Sequence, residues 1–138
     1  MHFGLSEEQE MIVETVRSFV ENEIYPHEET VERTGEVPKE VAEAIKKKTI
    51  DLGFYACNFP QEVGGAGLSH LEFALVEREL GRGAMALNHF FGRPQNILMA
   101  CEGDQKERYL LPAVRGDRMD ALAMTEPGAG SDVRGMKC

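Results

Sequence analysis

The chain has 138 residues, of which 42% are hydrophobic and 28% are charged, and its formal net charge at pH 7 is −9. This length and composition predict one globular domain with a real core and exclude a largely disordered chain. The negative charge, with no basic cluster denser than residues 46–48, argues against a sequence-independent nucleic-acid binder. No apolar run approaches the roughly 20 residues of a membrane span.

The three cysteines, Cys57, Cys101 and Cys138, are odd in number and far apart, which predicts reduced thiols and no metal site. Residues 1–5 are followed by acidic residues and lack the basic and long apolar parts of a signal peptide. We therefore expect a cytoplasmic protein.

The first two helices have clear start signals. Ser6 and Gln9 fit a capping box, and Pro26 predicts that the first helix ends before Tyr25, with residues 27–37 as a polar connection. Pro38 begins a second helix that Gly53 ends in a left-handed conformation. Its predicted inner face consists of Val41, Ala44, Ile45 and Leu52.

A glycine-rich loop over residues 60–67 leads to the third helix. Ser69 and Glu72 form a second capping box. The apolar residues that follow leave little polar surface, so this helix is predicted to be central and buried on most sides; they include Leu71, Ala74, Leu75, Val76 and Leu80.

Residues 84–100 contain one charged side chain, that of Arg93, and the helical pattern is interrupted at Gly92 and Pro94. Two interpretations remain open. The segment lines a pocket, or it is an ordinary kinked core helix in which Asn88 or His89 is a satisfied core residue.

Beyond this segment, Asp104 is predicted to cap a short helix whose Tyr109, Leu110 and Leu111 point inward. Only residues 122–124 favour a strand. The sequence therefore predicts an all-α fold of about five or six helices that ends in a short extended segment and a Gly-rich loop.

That loop, residues 125–131, carries the strongest functional signal. Gly128 and Gly130 allow positive φ and a close approach of a ligand, so backbone N–H groups edged by the hydroxyls of Thr125 and Ser131 suit an anion or a flat heterocycle. The glycine spacing fits neither the dinucleotide fingerprint nor the Walker A loop. The plainer alternative is a surface turn.

The run over residues 123–135 resembles the flavin-contact signature of the acyl-CoA dehydrogenase family. Two further blocks, at residues 60–69 and 105–112, follow the family's order. The resemblance covers only the family's N-terminal part, with residues 1–121 as its helical domain and residues 122–138 as the start of a middle β domain. The chain stops just after the signature, which favours a truncated chain.

The resemblance implies FAD-dependent α,β-dehydrogenation of an acyl-CoA thioester, an activity of fatty acid metabolism. It assigns flavin contacts to Leu122, Ala123, Met124, Thr125, Glu126, Pro127, Gly128, Ala129, Gly130 and Ser131. Family members often carry an aromatic residue at the position of Leu122, so ring stacking there is not implied.

The resemblance also assigns substrate contacts. The Ser131 hydroxyl would reach the substrate, while Met85, Asn88 and Gly92, on one helical face, would close off the acyl end of the cavity. The catalytic carboxylate belongs to a C-terminal helical bundle, so this chain would contain no catalytic residue.

The implied partners of the parent enzyme are acyl-CoA, electron-transfer flavoprotein as acceptor, and further copies in a tetramer or dimer. A related flavin oxidase or monooxygenase, or a non-catalytic helical binding or assembly module, are the alternatives. We expect the 138-residue chain by itself to be inactive and to hold FAD poorly.

Overall fold

A computed structural model describes residues 4–137. The predictions for the N-terminal residues 1–3 and for the thiol of Cys138 lie outside the described residues. Helix α1, Glu7–Phe19, begins at the predicted capping box. The Gln9 N–H donates to Ser6 Oγ at 3.2 Å and the Ser6 N–H donates to Gln9 Oε1 at 3.1 Å, which confirms that start signal.

The predicted break before Pro26 is wrong. A π-helical turn, Val20–Ile24, continues α1 directly into helix α2, Tyr25–Thr34. The Tyr25 N–H bonds to the Val20 carbonyl, so the widened turn places Pro26 in the first turn of α2, where its missing N–H is tolerated. Most of the predicted polar connection is therefore helical.

Helix α3, Lys39–Asp51, follows Pro38, and the predicted left-handed Gly53, with a φ of +75°, lies just after its end. Ile45 and Thr49 are buried, and Thr49 is satisfied because its hydroxyl donates to the Ile45 carbonyl at 2.9 Å. The buried face of α3 thus contains Ile45 and Thr49, which are four residues apart. Ala44 and Leu52 are exposed, so the predicted inner face is wrong for both.

Helix α4, His70–Leu80, starts at the predicted Ser69 capping box, where the Ser69 N–H donates to Glu72 Oε2 at 2.8 Å. It packs along α1. Leu71 and Ala74 are exposed, so the expectation of burial on most sides is wrong. One face, containing Leu75, Val76, Glu79 and Leu80, is buried.

Between α4 and the glycine loop the helices are short. The order is α5 (Met85–Asn88), 3₁₀ turns at His89–Phe91 and Asn96–Ala100, a π-helical turn at Lys106–Leu110, and α6 (Leu111–Val114). Leu110 is buried but Tyr109 is exposed, contrary to the prediction, because the π turn alters the helical register. The Gln105 side chain, rather than that of Asp104, caps the segment, since it accepts from the Glu102 N–H at 3.1 Å.

The buried side chains form two clusters. The larger joins the first five helices around Val20, Ile24 and Phe91, and the smaller packs Tyr55 and Phe59 against the segment that ends with α6. No strand occurs within residues 4–137, where a single β-bridge joins Glu126 to Ala129, so the predicted all-α class is confirmed and residues 122–124 form no strand. None of the helices in this range has the length and apolar character needed to cross a bilayer.

Candidate functional site

A cavity of about 490 Å3 lies where the loop after α3, helix α4 and the broken segment after α5 meet. Residues 119 and 120, which lead into the glycine loop, close its remaining side. The wall combines apolar and polar groups; its members include Tyr55, Asn58, Phe73, Glu77, Met85, His89, Gly92, Arg93, Pro94, Met119 and Asp120.

Gly92 fixes the shape of this wall. Its φ is +81°, and its carbonyl accepts a hydrogen bond from the Ala56 N–H at 2.8 Å. Helix α5 has already ended at Asn88. The predicted single helical face of Met85, Asn88 and Gly92 is therefore wrong, because the left-handed residue turns the chain out of the helix.

Met85 and Gly92 both border the cavity, whereas Asn88 does not. Met85 lies at the open rim and is 89% exposed. Asn88 is buried, and its Nδ2 donates to the carbonyls of Leu80 at 2.5 Å and Gly83 at 2.9 Å. Asn88 is therefore a hydrogen-bonded core residue, which was one of the two interpretations left open by the sequence. Its hydrogen bonds connect the end of α4 to α5.

The glycine loop is a tight turn closed on itself. The Glu126 N–H donates to the Ala129 carbonyl at 3.0 Å, and the Ala129 N–H donates to the Glu126 carbonyl at 3.1 Å. Ala129 is buried beneath the turn. Gly128 and Gly130 allow positive φ but do not take it in this structure.

The same two glycines have open space beside the backbone. A Cβ built on Gly128 or Gly130 would meet no atom within 4 Å, so neither the backbone conformation nor internal packing requires glycine there. The preceding Leu122 and Met124 are apolar side chains that are 65% and 41% exposed. The turn therefore has open space on its outer side, beside two exposed apolar side chains.

Several polar residues of the cavity wall, among them Asn58, Glu77, Arg93 and Asp120, were not assigned to the site by the sequence. Arg93 Nε lies 2.9 Å from Glu77 Oε1, Asn58 approaches from the loop after α3, and Asp120 Oδ2 accepts from the Gln95 N–H at 2.9 Å. The isolated charge of Arg93 in an uncharged segment was the one available signal.

The ionisable groups around the cavity influence one another. Burial raises the pKa of the Tyr55 hydroxyl, and the negative charges of Asp120 and Asp117 raise it further. Tyr55 is therefore neutral at pH 7 and offers the cavity an aromatic face. Within residues 4–137, no group of three His, Cys, Asp or Glu side chains is arranged to hold a metal ion.

The model of the acyl-CoA dehydrogenase N-terminal domain matches residues 6–117. The chain belongs to the acyl-CoA dehydrogenase family. It is 36% identical over 132 residues to the 3-(aryl)acrylate reductase of Clostridium sporogenes, covering 92% of this chain and 34% of that protein. It is 37% identical over 139 residues to the mitochondrial isovaleryl-CoA dehydrogenase of Pongo abelii, covering 97% of this chain and 32% of that protein.

Solved structures of acyl-CoA dehydrogenases share the fold. The Bacillus anthracis acyl-CoA dehydrogenase complexed with FAD superposes with a TM-score of 0.76 at 29% identity, over 96% of this chain and 23% of that one. The chain thus spans about a third of the length of the curated relatives it matches. Both dehydrogenases and reductases occur among these family members.

Proposed function

We propose that this chain is the N-terminal part of an FAD-dependent acyl-CoA dehydrogenase that introduces an α,β double bond into an acyl-CoA thioester. The observation that carries the proposal is the open glycine turn, with Gly128 and Gly130 unobstructed and Leu122 exposed, which follows closely in sequence on Met119 and Asp120 of the cavity wall. Membership of the family, with a relative that aligns over 97% of this chain, supports the assignment of that turn to a flavin.

In this proposal, residues 122–131 line the flavin. Backbone groups near Met124 and Thr125 face the polar edge of the ring, while Gly130 and Ser131 face the pyrophosphate or the CoA side. When bound, the flavin accepts the β-hydrogen of the substrate as a hydride. Glu126 serves the loop, since its Oε2 accepts a hydrogen bond from the Lys137 N–H at 3.1 Å.

The remainder of the machinery lies in the parts that longer family members add. We assign residues 1–121 to the helical domain and residues 122–138 to the start of the middle domain. The carboxylate that removes the α-proton, the electron-transfer flavoprotein acceptor and the dimeric or tetrameric assembly belong to the proposed full-length enzyme, as does its cytoplasmic setting.

A second candidate is the reverse reaction, reduction of an α,β-unsaturated acyl compound. The 36% identity to a 3-(aryl)acrylate reductase favours it. The residues described above would hold the same flavin beside the same carbon atoms in either direction. The electron donor or acceptor would then determine which direction the enzyme takes.

The test uses the native polypeptide that contains these residues. We expect bound flavin in its absorption spectrum and reduction of a dye acceptor by an acyl-CoA. Ser131→Ala should lower flavin occupancy or raise KM about tenfold, because one hydrogen bond to a charged group contributes roughly 1.5–3 kcal/mol. The matched control is Ser18→Ala, which alters an exposed serine of α1.

Each outcome bears on a separate part of the proposal. A colourless polypeptide that neither oxidises acyl-CoA nor reduces its unsaturated counterpart would overturn the proposed function. Unchanged flavin content and unchanged KM in Ser131→Ala would remove Ser131 from the site. The 138-residue chain alone is expected to be colourless and inactive, because the turn supplies only one side of a flavin site.

A further inference from the structure

The side chain of Tyr55 lies between two cavities of the molecule. The first is the cavity of about 490 Å3 described above. The second, of about 550 Å3, lies where the end of α3 and residues 64–66 meet the end of α6. Among the described residues, 4–137, Tyr55 is the one that borders both cavities. Its ring is therefore their shared wall.

Exposure places Tyr55 at the inner end of the first cavity. Met85 and Met119, which also border this cavity, are 89% and 52% exposed and mark its mouth. Tyr55 is only 9% exposed, and Gly92 and Pro94 beside it in the wall are buried. A ligand that enters past the two methionines therefore meets the Tyr55 ring at the closed end.

Two glycines hold the ring of Tyr55 from opposite edges. Gly92 lies against the edge formed by Cδ2 and Cε2, whereas a Cβ built on Gly116 would lie 3.2 Å from Cζ and 3.4 Å from Cε1. Both glycines are left-handed, with φ values of +81° and +80°. Because neither carries a Cβ, the ring fits between them.

Hydrogen bonds fix both sides of this slot. The Ala56 N–H donates to the Gly92 carbonyl at 2.8 Å, and Lys46 Nζ donates to the Gly116 carbonyl at 2.8 Å. The ring also belongs to the smaller buried cluster, with Phe59 among its members. A closely packed ring that is held on two edges is a rigid wall, so the first cavity has a defined inner end.

We propose that Tyr55 sets the maximum length of the acyl group by closing the inner end of the first cavity. This inference rests on the proposed function, of which it defines the substrate class as acyl groups short enough to end at the Tyr55 ring. The second cavity lies on the other side of that ring. A smaller residue at position 55 would therefore extend the space that is open to the acyl chain.

The experiment measures binding of saturated acyl-CoA thioesters, from butyryl-CoA to dodecanoyl-CoA, to the native polypeptide by equilibrium dialysis. In the wild type, affinity should rise about fourfold per buried methylene, the equivalent of about 0.8 kcal/mol, until the chain meets Tyr55. In Tyr55→Ala the rise should continue for at least two more carbons. Chains beyond the wild-type limit should then gain about tenfold in affinity relative to butyryl-CoA.

Two results would overturn the proposal at this stage. The first is a wild-type affinity that rises without a limit through dodecanoyl-CoA. The second is the same limit in the wild type and in Tyr55→Ala. If Tyr55→Ala does not fold, Tyr55→Leu provides the test, because a shorter apolar side chain should move the limit in the same direction by a smaller amount.

Two matched variants show whether the ring itself is responsible. Tyr55→Phe removes the hydroxyl and keeps the ring, so it should keep the wild-type limit. Tyr109→Ala removes a tyrosine side chain that is 41% exposed and borders neither cavity, and it should also keep that limit. A longer limit in either variant would contradict the assignment to the Tyr55 ring.

A blocking substitution tests whether the additional carbons enter the second cavity. Ile50 borders that cavity, and its Cδ1 would lie 3.3 Å from a Cβ built on Gly116. Ile50→Trp should fill this space, so the double variant with Tyr55→Ala should return to the shorter limit. If the double variant keeps the longer limit, Tyr55 does not separate the two cavities for the acyl chain.

Binding requires neither flavin nor turnover, so this proposal and the enzymatic one can fail separately. A length limit that depends on Tyr55, in a polypeptide that neither oxidises acyl-CoA nor reduces its unsaturated counterpart, would support the assignment of Tyr55 and overturn the proposed function. Dehydrogenation with a length limit that Tyr55→Ala leaves unchanged would do the reverse.

Discussion

The ring of Tyr55 lies against the Cα of Gly92 so closely that a Cβ built there would be 1.8 Å from Tyr55 Cε2. At the same residue φ is +81°, a conformation that side-chain-bearing residues rarely adopt. Steric fit and backbone conformation therefore both require glycine at this point of the cavity wall.

We expect Gly92→Ala to lower the free energy of unfolding by about 2–4 kcal/mol, combining left-handed strain with overpacking against Tyr55. Urea denaturation measures this change. Gly128→Ala is the matched control and should stay within about 0.5 kcal/mol, since a Cβ at Gly128 meets no atom within 4 Å. Equal losses in the two variants would contradict this account. A larger residue at Gly92 would disturb the fold before it could report on acyl chain length.

Substitutions of Asn88 and Met85 should have different effects, the first on the free energy of unfolding and the second on acyl-CoA affinity. Asn88→Ala removes the donor to the carbonyls of Leu80 and Gly83 and should cost about 1–3 kcal/mol of unfolding free energy. Met85→Ala should leave stability unchanged, because the side chain is 89% exposed, while altering acyl-CoA affinity at the cavity rim. A stable Asn88→Ala variant with altered acyl preference would instead place Asn88 in the binding site.

The buried carboxylate of Glu79 should make stability depend on acidity. Hydrogen bonding from Arg17, whose Nε lies 3.0 Å away, holds the pKa of Glu79 below its usual range despite burial. Because the pKa of Glu79 is lower in the folded state, its ionised carboxylate stabilises the fold at pH values above the unfolded pKa of about 4.3. This stabilisation is lost as the pH falls through the folded pKa.

Urea denaturation from pH 7 to pH 3 therefore tests the Glu79 pair. Glu79→Gln should be less stable than the wild type at pH 7 by about 1–3 kcal/mol and should lose less on acidification. Glu107→Gln alters an exposed carboxylate that forms no ion pair within residues 4–137 and should retain the wild-type acid dependence. Parallel pH profiles for wild type and Glu79→Gln would rule out this role.

The two described thiols should differ sharply in reactivity. Burial raises the pKa of Cys57 to about 11, with the charge of Glu77 as a further contribution, so the native protein holds Cys57 as an inert thiol at pH 8. Cys101 is partly exposed and free. In a Cys138→Ser background, a disulfide reagent should modify Cys101 in the native state and Cys57 only after denaturation. Equal native rates would contradict the burial of Cys57.

Local signals in the sequence identified most helix starts, because a capping box joins residues three apart and needs no distant partner. Ser6 and Ser69 are of this kind. The end of α1 could not be predicted in this way. A π turn accommodated Pro26, and its formation depends on the burial of Val20 and Ile24 against distant residues.

The candidate site was only partly accessible from the sequence. The glycine turn at residues 125–131 was visible as a contiguous pattern, whereas the cavity joins Asn58, Glu77 and Arg93 from three separate segments. Nothing local to Gly92 distinguishes a helix interruption from a left-handed residue. The left-handed conformation of Gly92 leaves room for the ring of Tyr55, a residue far from it in the sequence.

The open space around Gly128 and Gly130 means that selection for ligand binding at the turn can act separately from selection for folding. Since no internal atom lies within 4 Å of a Cβ at either position, an alanine can be introduced there without a packing penalty. In the proposed enzyme, Gly128→Ala and Gly130→Ala would therefore report on flavin affinity with little effect on folding. In evolutionary terms, the turn can drift toward a different ligand while the helical domain remains under its own, independent constraint.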